Sequence, residues 1–165
     1  MRDAAVEALA ARVRALEDAE AIRNLKARYA ELVDARYQRG APRPQPELDR
    51  LAGEIAALFS EDAVWEGGAL GTCTGRAAIR ERMAKPTLRF SRHYFVNPRI
   101  RVDGDVATAR WELLAPCTAQ DDRPMWMAGV EDDAYARVGG SWLHTRMQLG
   151  VHFFAPHERG WALRS

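Results

Sequence analysis

The sequence has little cysteine and no long apolar run, and these two absences exclude several kinds of protein. Its 165 residues include only two cysteines. Cys73 and Cys117 stand apart and lack the paired spacing of a zinc site or a disulfide framework. We therefore expect both to be reduced residues that pack in the interior. No stretch approaches the roughly eighteen apolar residues of a membrane-spanning helix, so a membrane is not an expected partner.

The chain also lacks an excess of charge of either sign. Its 24 basic and 23 acidic residues leave a formal net charge of +1, which gives no general attraction to nucleic acid or to acidic lipid. Apolar residues make up 47% and charged residues 28% of the sequence, as in a globular protein. The length of the chain predicts a single domain over residues 1–165. Because the N-terminal stretch carries charges throughout and has no apolar signal-peptide core, we expect a cytoplasmic protein.

A long amphipathic helix is predicted over residues 3–36. Apolar side chains recur there at spacings of three and four residues, and they are Val6, Leu9, Val13, Leu16, Ile22, Leu25, Tyr29 and Leu32. Glu17, Asp18 and Glu20 interrupt this stripe, so the segment is either two helices or one helix with a change of face. Its first half either packs on a partner subunit or covers the open side of the chain's own sheet.

Two shorter amphipathic helices should follow the first. Residues 37–47 are rich in proline, which predicts a loop. Beyond the loop, the spacing of apolar residues predicts helices at Glu47–Phe59 and Arg76–Met83, with a short strand at Ala63–Glu66 between them. The first half of the chain is therefore predicted to be mainly helical.

From His93 onward the pattern changes to strands. Asp103-Gly104 and Gly139-Gly140 lie between runs of alternating polarity and mark hairpin turns. About four long antiparallel strands are predicted in this half. The order of elements predicts an α+β fold, in which helices cover one side of a strongly curved sheet and leave a conical cavity.

Asp34 and His93 are the polar residues with the clearest chemical meaning. Asp34 lies near the end of the predicted first helix, and His93 opens the first long strand. A carboxylate that orients an imidazole is a simple device for moving a proton at neutral pH. Other interpretations stay open from the residues alone, because such a histidine is commonly a core or surface residue and such an aspartate is commonly solvated. Tyr29 lies on the apolar stripe and also suits the core.

Six segments of the chain follow one another in a recognisable order: LEDAEAIRNLKARYAELVDA, IAALFSEDAVWEGG, GRAAIRERM, RHYFVNPRIRVDGDVATARW, GGSW and FFAPHERGWA. In this order they resemble the SnoaL-like branch of the nuclear transport factor 2-like superfamily, and they cover nearly the whole chain. The resemblance implies an α+β, cystatin-like, cone-shaped barrel. In that fold a curved antiparallel sheet wraps around a long N-terminal helix, and two further helices complete the cone.

The segments are similar to those of bile-acid 7α-dehydratases, scytalone dehydratase and hexachlorocyclohexane dehydrochlorinase. These are lyases that need no cofactor and use a His–Asp dyad. The resemblance implies that His93 is the general base, that Asp34 orients it, and that Tyr29 is a hydrogen-bond donor, as a tyrosine at that place is in the bile-acid enzymes. It also implies a cofactor-independent and metal-free lyase or isomerase, of dehydratase or cyclase type, that forms a homodimer or homotrimer.

One position departs from the dehydratase pattern. The bile-acid enzymes carry another acid on the strand after the hairpin, and Ala115 stands at or near that place. Glu112 is close in sequence but has a different register, so strand alternation directs it elsewhere. The chain therefore lacks one acid that could assist dehydration. Isomerisation, cyclisation or another elimination stays open.

Four residues are candidates for substrate binding: Trp65, Trp111, Asn97 and Met127. Aromatic and methionine side chains suit a hydrophobic steroid-, terpenoid- or polyketide-like molecule, although each is equally suited to ordinary core. Strand alternation places Asn97 on the same face as His93. Counting across the hairpin pairs Trp111 with Val96 and places it on the opposite face, unless a bulge intervenes.

Two other functions stay open. The first is a non-catalytic ligand-binding or accessory subunit with the same fold. The second is an epoxide-opening hydrolase, which would need two inward acids around an arginine, and Asp132 or Asp133 with Arg110 is the nearest source. A metal site is not expected, because His144 and His152 have the spacing to share a strand face but no further ligand completes the set.

Overall fold

The computed structural model describes residues 2–158 and confirms the α+β, cone-shaped fold. Within these residues the helices are α1 (Arg2–Ala35), α2 (Gln45–Ala56) and α3 (Arg76–Met83). The strands are β1 (Tyr37–Gln38), β2 (Ala41–Pro42), β3 (Phe59–Glu66), β4 (Thr72–Thr74), β5 (Phe90–Ser91), β6 (Tyr94–Asp103), β7 (Val106–Thr118), β8 (Pro124–Val138) and β9 (Ser141–Pro156). The end of the FFAPHERGWA segment lies outside the described residues. No helix between residues 2 and 158 is both long enough and apolar enough to cross a membrane.

α1 is one continuous helix of 34 residues. Its second half is buried against the sheet through Ile22, Tyr29, Leu32 and Val33. The apolar residues of the first half are exposed instead, Leu16 by 71%, so the expectation that this half covers the open side of the sheet was wrong. Asp18 marks the point where α1 reaches the sheet, because it accepts hydrogen bonds from Arg137 and Trp142 at 2.6 and 3.1 Å. Packing of the first half on a partner subunit stays a prediction.

The proline-rich segment is more ordered than the predicted loop. β1 and β2 form a small antiparallel hairpin, and its turn residues Arg39 and Gly40 both have positive φ, at 52° and 78°, as a tight hairpin turn requires. α2 begins at Gln45 because proline fits the first turn of a helix, where Pro46 stands. α2 ends before Phe59, which starts β3. α3 has the predicted bounds.

The main sheet has the order β4, β3, β9, β8, β7, with β5 and β6 both paired to the outer edge of β7. Four long strands, β6 to β9, are antiparallel as predicted, but β3 pairs with β9 in parallel, so the sheet is mixed. Register shifts occur between Val96 and Arg99 and at two places in the β8–β9 pair. Such bulges increase the bend of a sheet and give this one the curvature of a half-barrel.

The inner face of the sheet packs on the second half of α1. Along β7 every second residue is buried, which is the period of a strand with one face in the core. Both cysteines are free and pack as predicted, Cys117 buried on β7 and Cys73 against the core near β3. The edge formed by β5 and β6 is interrupted, because β5 ends at Ser91 and β6 begins at Tyr94. The C-terminal end of α1 meets the sheet at this gap.

Candidate active site

Asp34 and His93 lie in contact at the gap between β5 and β6. The Asp34 Oδ1 atom is 2.7 Å from His93 Nδ1. The Asp34 side chain is almost fully buried, whereas that of His93 keeps 14% of its surface exposed. A carboxylate at Nδ1 accepts the N–H of that nitrogen, so the lone pair of the neutral ring is on Nε2. The ring therefore has a fixed tautomer and an available basic nitrogen.

The same carboxylate also holds the backbone of His93. The His93 N–H group lies 3.1 and 3.2 Å from the two Asp34 oxygens. It is available for this contact because the strand is interrupted here and the group is not needed for a sheet ladder. Arg92 Nε lies 3.4 Å from Oδ2, and the His93 ring stacks on Phe95 at a centroid distance of 6.0 Å. The imidazole is thus fixed from its backbone, from its Nδ1 atom and from one ring face.

A small cavity opens beside His93 under the curved sheet. It is lined by residues from α1, β3, α3, β8 and the segment before β6, among them Tyr29, Trp65, Met127, Glu131 and His93. Its volume is about 60 Å³, enough for a few water molecules and well below the roughly 300–1,000 Å³ of most ligand pockets. A polycyclic ligand would therefore have to displace side chains at the opening.

Tyr29 presents a neutral phenol to this cavity. Burial raises the pKa of Tyr29, and the nearby charge of Glu131 raises it further. The Tyr29 oxygen accepts a hydrogen bond from Trp65 Nε1 at 3.3 Å, but no acceptor for its own hydrogen is found between residues 2 and 158. Tyr29 lies five residues before Asp34, a rotation of roughly 140° around the helix. It therefore faces the cavity while Asp34 faces the gap.

A buried ion cluster lies deeper in the cone. Lys26 Nζ donates to Asp133 Oδ2 at 2.8 Å and to Glu131 Oε2, and it lies 4.1 Å from the centroid of the Phe95 ring. Burial alone would lower the pKa of Lys26, but the two carboxylates outweigh burial and raise it. Tyr135 donates to Asp133 at 2.7 Å. The Lys26 ammonium is thus the cation that balances two acids in the interior.

His144 completes this region as a buried, neutral histidine. Its ring lies between the rings of Phe59 and Tyr135, at centroid distances of 5.0 and 4.7 Å. Burial lowers the pKa of His144 well below its usual value, and the charge of Lys26 acts in the same direction. Neither ring nitrogen has a hydrogen-bond partner in the described part of the chain, and neither does Asp133 Oδ1.

Residues 14–148 match a protein family described as the SnoaL-like domain. The chain belongs to this family. The match covers most of the chain and includes Asp34, His93 and every residue of the ion cluster. The predicted membership of the nuclear transport factor 2-like superfamily is confirmed with it.

Solved structures share the fold of this SnoaL-like domain. A type 2 hexachlorocyclohexane dehydrochlorinase is 21% identical, with a TM-score of 0.73 over 91% of this chain and 95% of the other. A candidate scytalone dehydratase from Novosphingobium aromaticivorans is 22% identical, with a TM-score of 0.70 and 91% of each chain covered. A nuclear transport factor 2-like protein with a cystatin-like fold, from the same organism, is 27% identical, with a TM-score of 0.65 and 87% and 88% covered. A comparison with curated proteins found no match.

Of the four residues predicted to bind substrate, Trp65 and Met127 line the cavity of this SnoaL-like domain. The predicted placement of Asn97 was wrong, and the bulge that had been left open for Trp111 is present, because Asn97 and Pro98 lie opposite Trp111. The bulge turns the buried Trp111 to the inner face, where its Nε1 donates to Tyr135 at 3.1 Å. Asn97 is exposed with φ 51° and does not line the cavity. The extra residue of the bulge thus changes which face of the sheet each of these two side chains occupies.

The arrangement expected for an epoxide-opening hydrolase does not form. Arg110 and Asp132 pair on the exposed outer face of the sheet at 2.9 Å, whereas Asp133 points inward to Lys26. Strand alternation separates these neighbouring acids. His144 and His152 are likewise separated, the first buried and the second exposed. No group of three metal-ligating side chains occurs within residues 2–158.

The inward carboxyl group of this cavity comes from β8 and was missed in the sequence. Ala115 is fully buried and offers no acid, whereas Glu131 lines the cavity. Three consecutive acids, Glu131 to Asp133, within a strand were a usable signal, because alternation must turn at least one of them inward. Lys26, four residues after Ile22 and three before Tyr29, was a second signal on the apolar face of the helix.

Asp133→Asn is expected to change how stability depends on pH. Burial raises the pKa of Asp133 from its usual value of 3.8 to about 6. The charge of Lys26 opposes this rise in pKa, and the charge of Glu131 adds to it. The pKa of Asp133 is higher in the folded than in the unfolded state, so protonation of this group stabilises the folded protein. This stabilisation is fully present below about pH 4 and is lost as the pH rises through about 6. We subtract the free energy of unfolding of the variant from that of the wild type at each pH. This difference should fall by more than about 1 kcal/mol between pH 4 and pH 7.

Urea unfolding at several pH values measures this difference. Subtracting the variant removes the opposing contribution of His144, which is present in both proteins. Asp132→Asn, at the exposed neighbour, is the matched control and should give a difference that is flat over the same range. A flat or rising difference for Asp133→Asn would contradict the prediction.

Proposed function

We propose that this SnoaL-like domain is a cofactor-independent lyase or isomerase that removes a proton from a carbon atom of a hydrophobic small molecule. One observation carries the proposal: His93 borders a cavity, and a buried carboxylate, Asp34, holds its Nδ1 atom at 2.7 Å. A histidine that served packing alone would not need to have its tautomer fixed in this way. The same pairing suits a general base.

In the proposed reaction, His93 Nε2 takes a proton from a carbon next to an electron-withdrawing group. Asp34 compensates the positive charge that forms on the ring. Tyr29 donates a hydrogen bond to the substrate oxygen that gains negative charge, or to a leaving group. If the leaving group departs, the product is an alkene, and if His93 returns the proton to a different carbon, the product is an isomer. General-base catalysis of this kind contributes about 10²–10⁴ in rate.

The apolar lining supports a hydrophobic substrate of steroid-, terpenoid- or polyketide-like class. Trp65 and Met127 line the cavity with several leucines, and such walls bind carbon skeletons. Two of the similar solved structures carry the names of a dehydrochlorinase and a candidate dehydratase, which denote eliminations. A homodimer or homotrimer and a cytoplasmic location stay predictions.

A hydrogen-exchange screen tests the proposal. Purified protein is incubated in D₂O with a panel of hydroxylated or halogenated steroids, terpenoids and cyclic ketones, and deuterium uptake and loss of water or halide are followed by NMR and mass spectrometry. Heat-unfolded protein is the blank. We expect exchange or elimination for at least one class of compound. Tight binding of panel members without exchange or elimination would favour the non-catalytic ligand-binding subunit and overturn the proposal.

A further inference from the structure

Two arginines line the cavity without a carboxylate partner. Arg36 is 7% exposed, and its guanidinium donates to the carbonyl oxygens of Val33 and Met83, both at 3.0 Å. It also contacts Met83 Sδ at 3.8 Å and lies over the Tyr37 ring at 5.6 Å. All of these partners are neutral. Arg36 lines the same cavity as His93.

Arg82 approaches the cavity from α3. Its guanidinium lies 5.4 Å from the centroid of the Trp65 ring and donates to Lys85 O at 3.1 Å and Thr87 Oγ1 at 3.3 Å. Neither Arg36 nor Arg82 forms an ion pair in the part of the chain that the structure describes. Burial lowers the pKa of Arg36 and the positive charge of Arg82 acts in the same direction, while Tyr37, Tyr29 and the Asp34 carboxylate oppose them. Two like charges thus act on each other at one cavity.

Arg36 is a buried guanidinium that forms no ion pair within residues 2–158. Buried charges in proteins are ordinarily paired, and Lys26 in the same cone has two carboxylates. The carbonyl groups that Arg36 bonds belong to the C-terminal ends of α1 and α3, whose dipoles offset part of one positive charge. Arg82 is only partly buried, so water compensates part of its charge. A bound anion would satisfy both groups with charge-assisted hydrogen bonds.

We propose that the substrate is an anion whose carboxylate group binds at Arg36 and Arg82 while its carbon skeleton extends toward His93 and Trp65. The inference rests on the proposed use of this cavity as the substrate site. A planar carboxylate matches the fork of a guanidinium, and its single charge needs less compensation than that of a phosphate. Glu131 lines the cavity as well and repels an anion, so the carboxylate end is directed to the arginines.

Benzoate and benzamide test this inference because they have the same shape and differ in charge. Isothermal titration calorimetry is carried out with wild type, Arg36→Met, Arg82→Gln, His93→Ala and Arg110→Met. We expect the wild type to bind benzoate at least about tenfold more tightly than benzamide. Arg36→Met and Arg82→Gln should each remove most of that preference. Arg110→Met, which deletes an exposed arginine of the outer face, should keep it.

Several outcomes would overturn the inference. Equal affinity for benzoate and benzamide would do so, as would a preference that survives both arginine variants. Tighter binding of inorganic phosphate than of benzoate would replace the carboxylate assignment. If Arg36→Met fails to fold because it bridges two helix ends, Arg82→Gln carries the test. His93→Ala lacks the proposed base but keeps both arginines, so it should still prefer benzoate to benzamide. If the wild type shows this charge preference but neither exchanges nor eliminates any compound of the screen, the proposed function is rejected and this inference stands.

Discussion

Lys26→Met is expected to lower the free energy of unfolding by about 3–5 kcal/mol, because it removes the one cation that balances two interior carboxylates. Glu131 and Asp133 both point into the cone and both accept hydrogen bonds from Lys26. Methionine has a similar volume to lysine, so packing changes little. What changes is that two acids then face each other in the interior, where an unpaired charge is strongly disfavoured. Urea unfolding at pH 7 measures the loss.

Two further variants separate charge from packing. Lys85→Met deletes an exposed lysine paired with Glu81 and should change the free energy of unfolding by less than about 0.5 kcal/mol. The triple variant Lys26→Met, Glu131→Gln, Asp133→Asn should recover much of the loss, because no unpaired charge remains. Wild-type stability for Lys26→Met alone would mean that the cluster is not charged as described.

His93→Ala is expected to lower kcat/KM by about 10²–10⁴ for a substrate found by the exchange screen. The variant removes Nε2, the only proposed proton acceptor, and leaves the other residues of the cavity lining unchanged. The His93 side chain is 14% exposed and stacks on Phe95, and in the variant Asp34 keeps the backbone N–H of residue 93, so the free energy of unfolding should fall by only about 1–2 kcal/mol. Steady-state kinetics and urea unfolding on the same preparation measure both quantities.

The matched control is His152→Ala, because His152 is an exposed histidine on β9 and lies outside the cavity. It should keep wild-type kcat/KM. Retention of full activity in His93→Ala would remove His93 from the mechanism. A parallel loss of activity and stability would instead assign His93 a structural role.

Local signals in the sequence predicted most of the fold. The bounds of α3 and two of the three long hairpins, β6–β7 and β8–β9, followed from apolar spacing and from Asp-Gly and Gly-Gly turns. The proline-rich segment was predicted poorly because proline has two tolerated places, a strand edge and the first turn of a helix. Pro42 occupies the first and Pro46 the second. A prediction that treats every proline as a breaker misses both.

The residues of the candidate site also fall into those that the sequence predicted and those that it did not. Asp34 and His93 were predicted as a pair because the resemblance named both of their positions. Lys26 lies 105 residues from Glu131, and no local pattern reports such a pairing. A bulge of one residue misplaced Asn97 and left the face of Trp111 open in the sequence, because the position of such a bulge depends on how β6 and β7 pair across the whole hairpin. Contacts that depend on tertiary packing were therefore the ones that the sequence did not supply.

Because Asp34 binds the backbone of residue 93, the side chain at this position can be replaced without losing that contact. Its carboxylate accepts a hydrogen bond from the N–H of residue 93 as well as from the ring, and every amino acid except proline carries that N–H group. A cysteine, lysine or glutamate introduced there would be delivered to the same edge of the cavity. The backbone contact thus fixes the position of residue 93 independently of its side chain. A single substitution at this position would therefore place a thiol, an amine or a carboxylate at the same edge of the cavity.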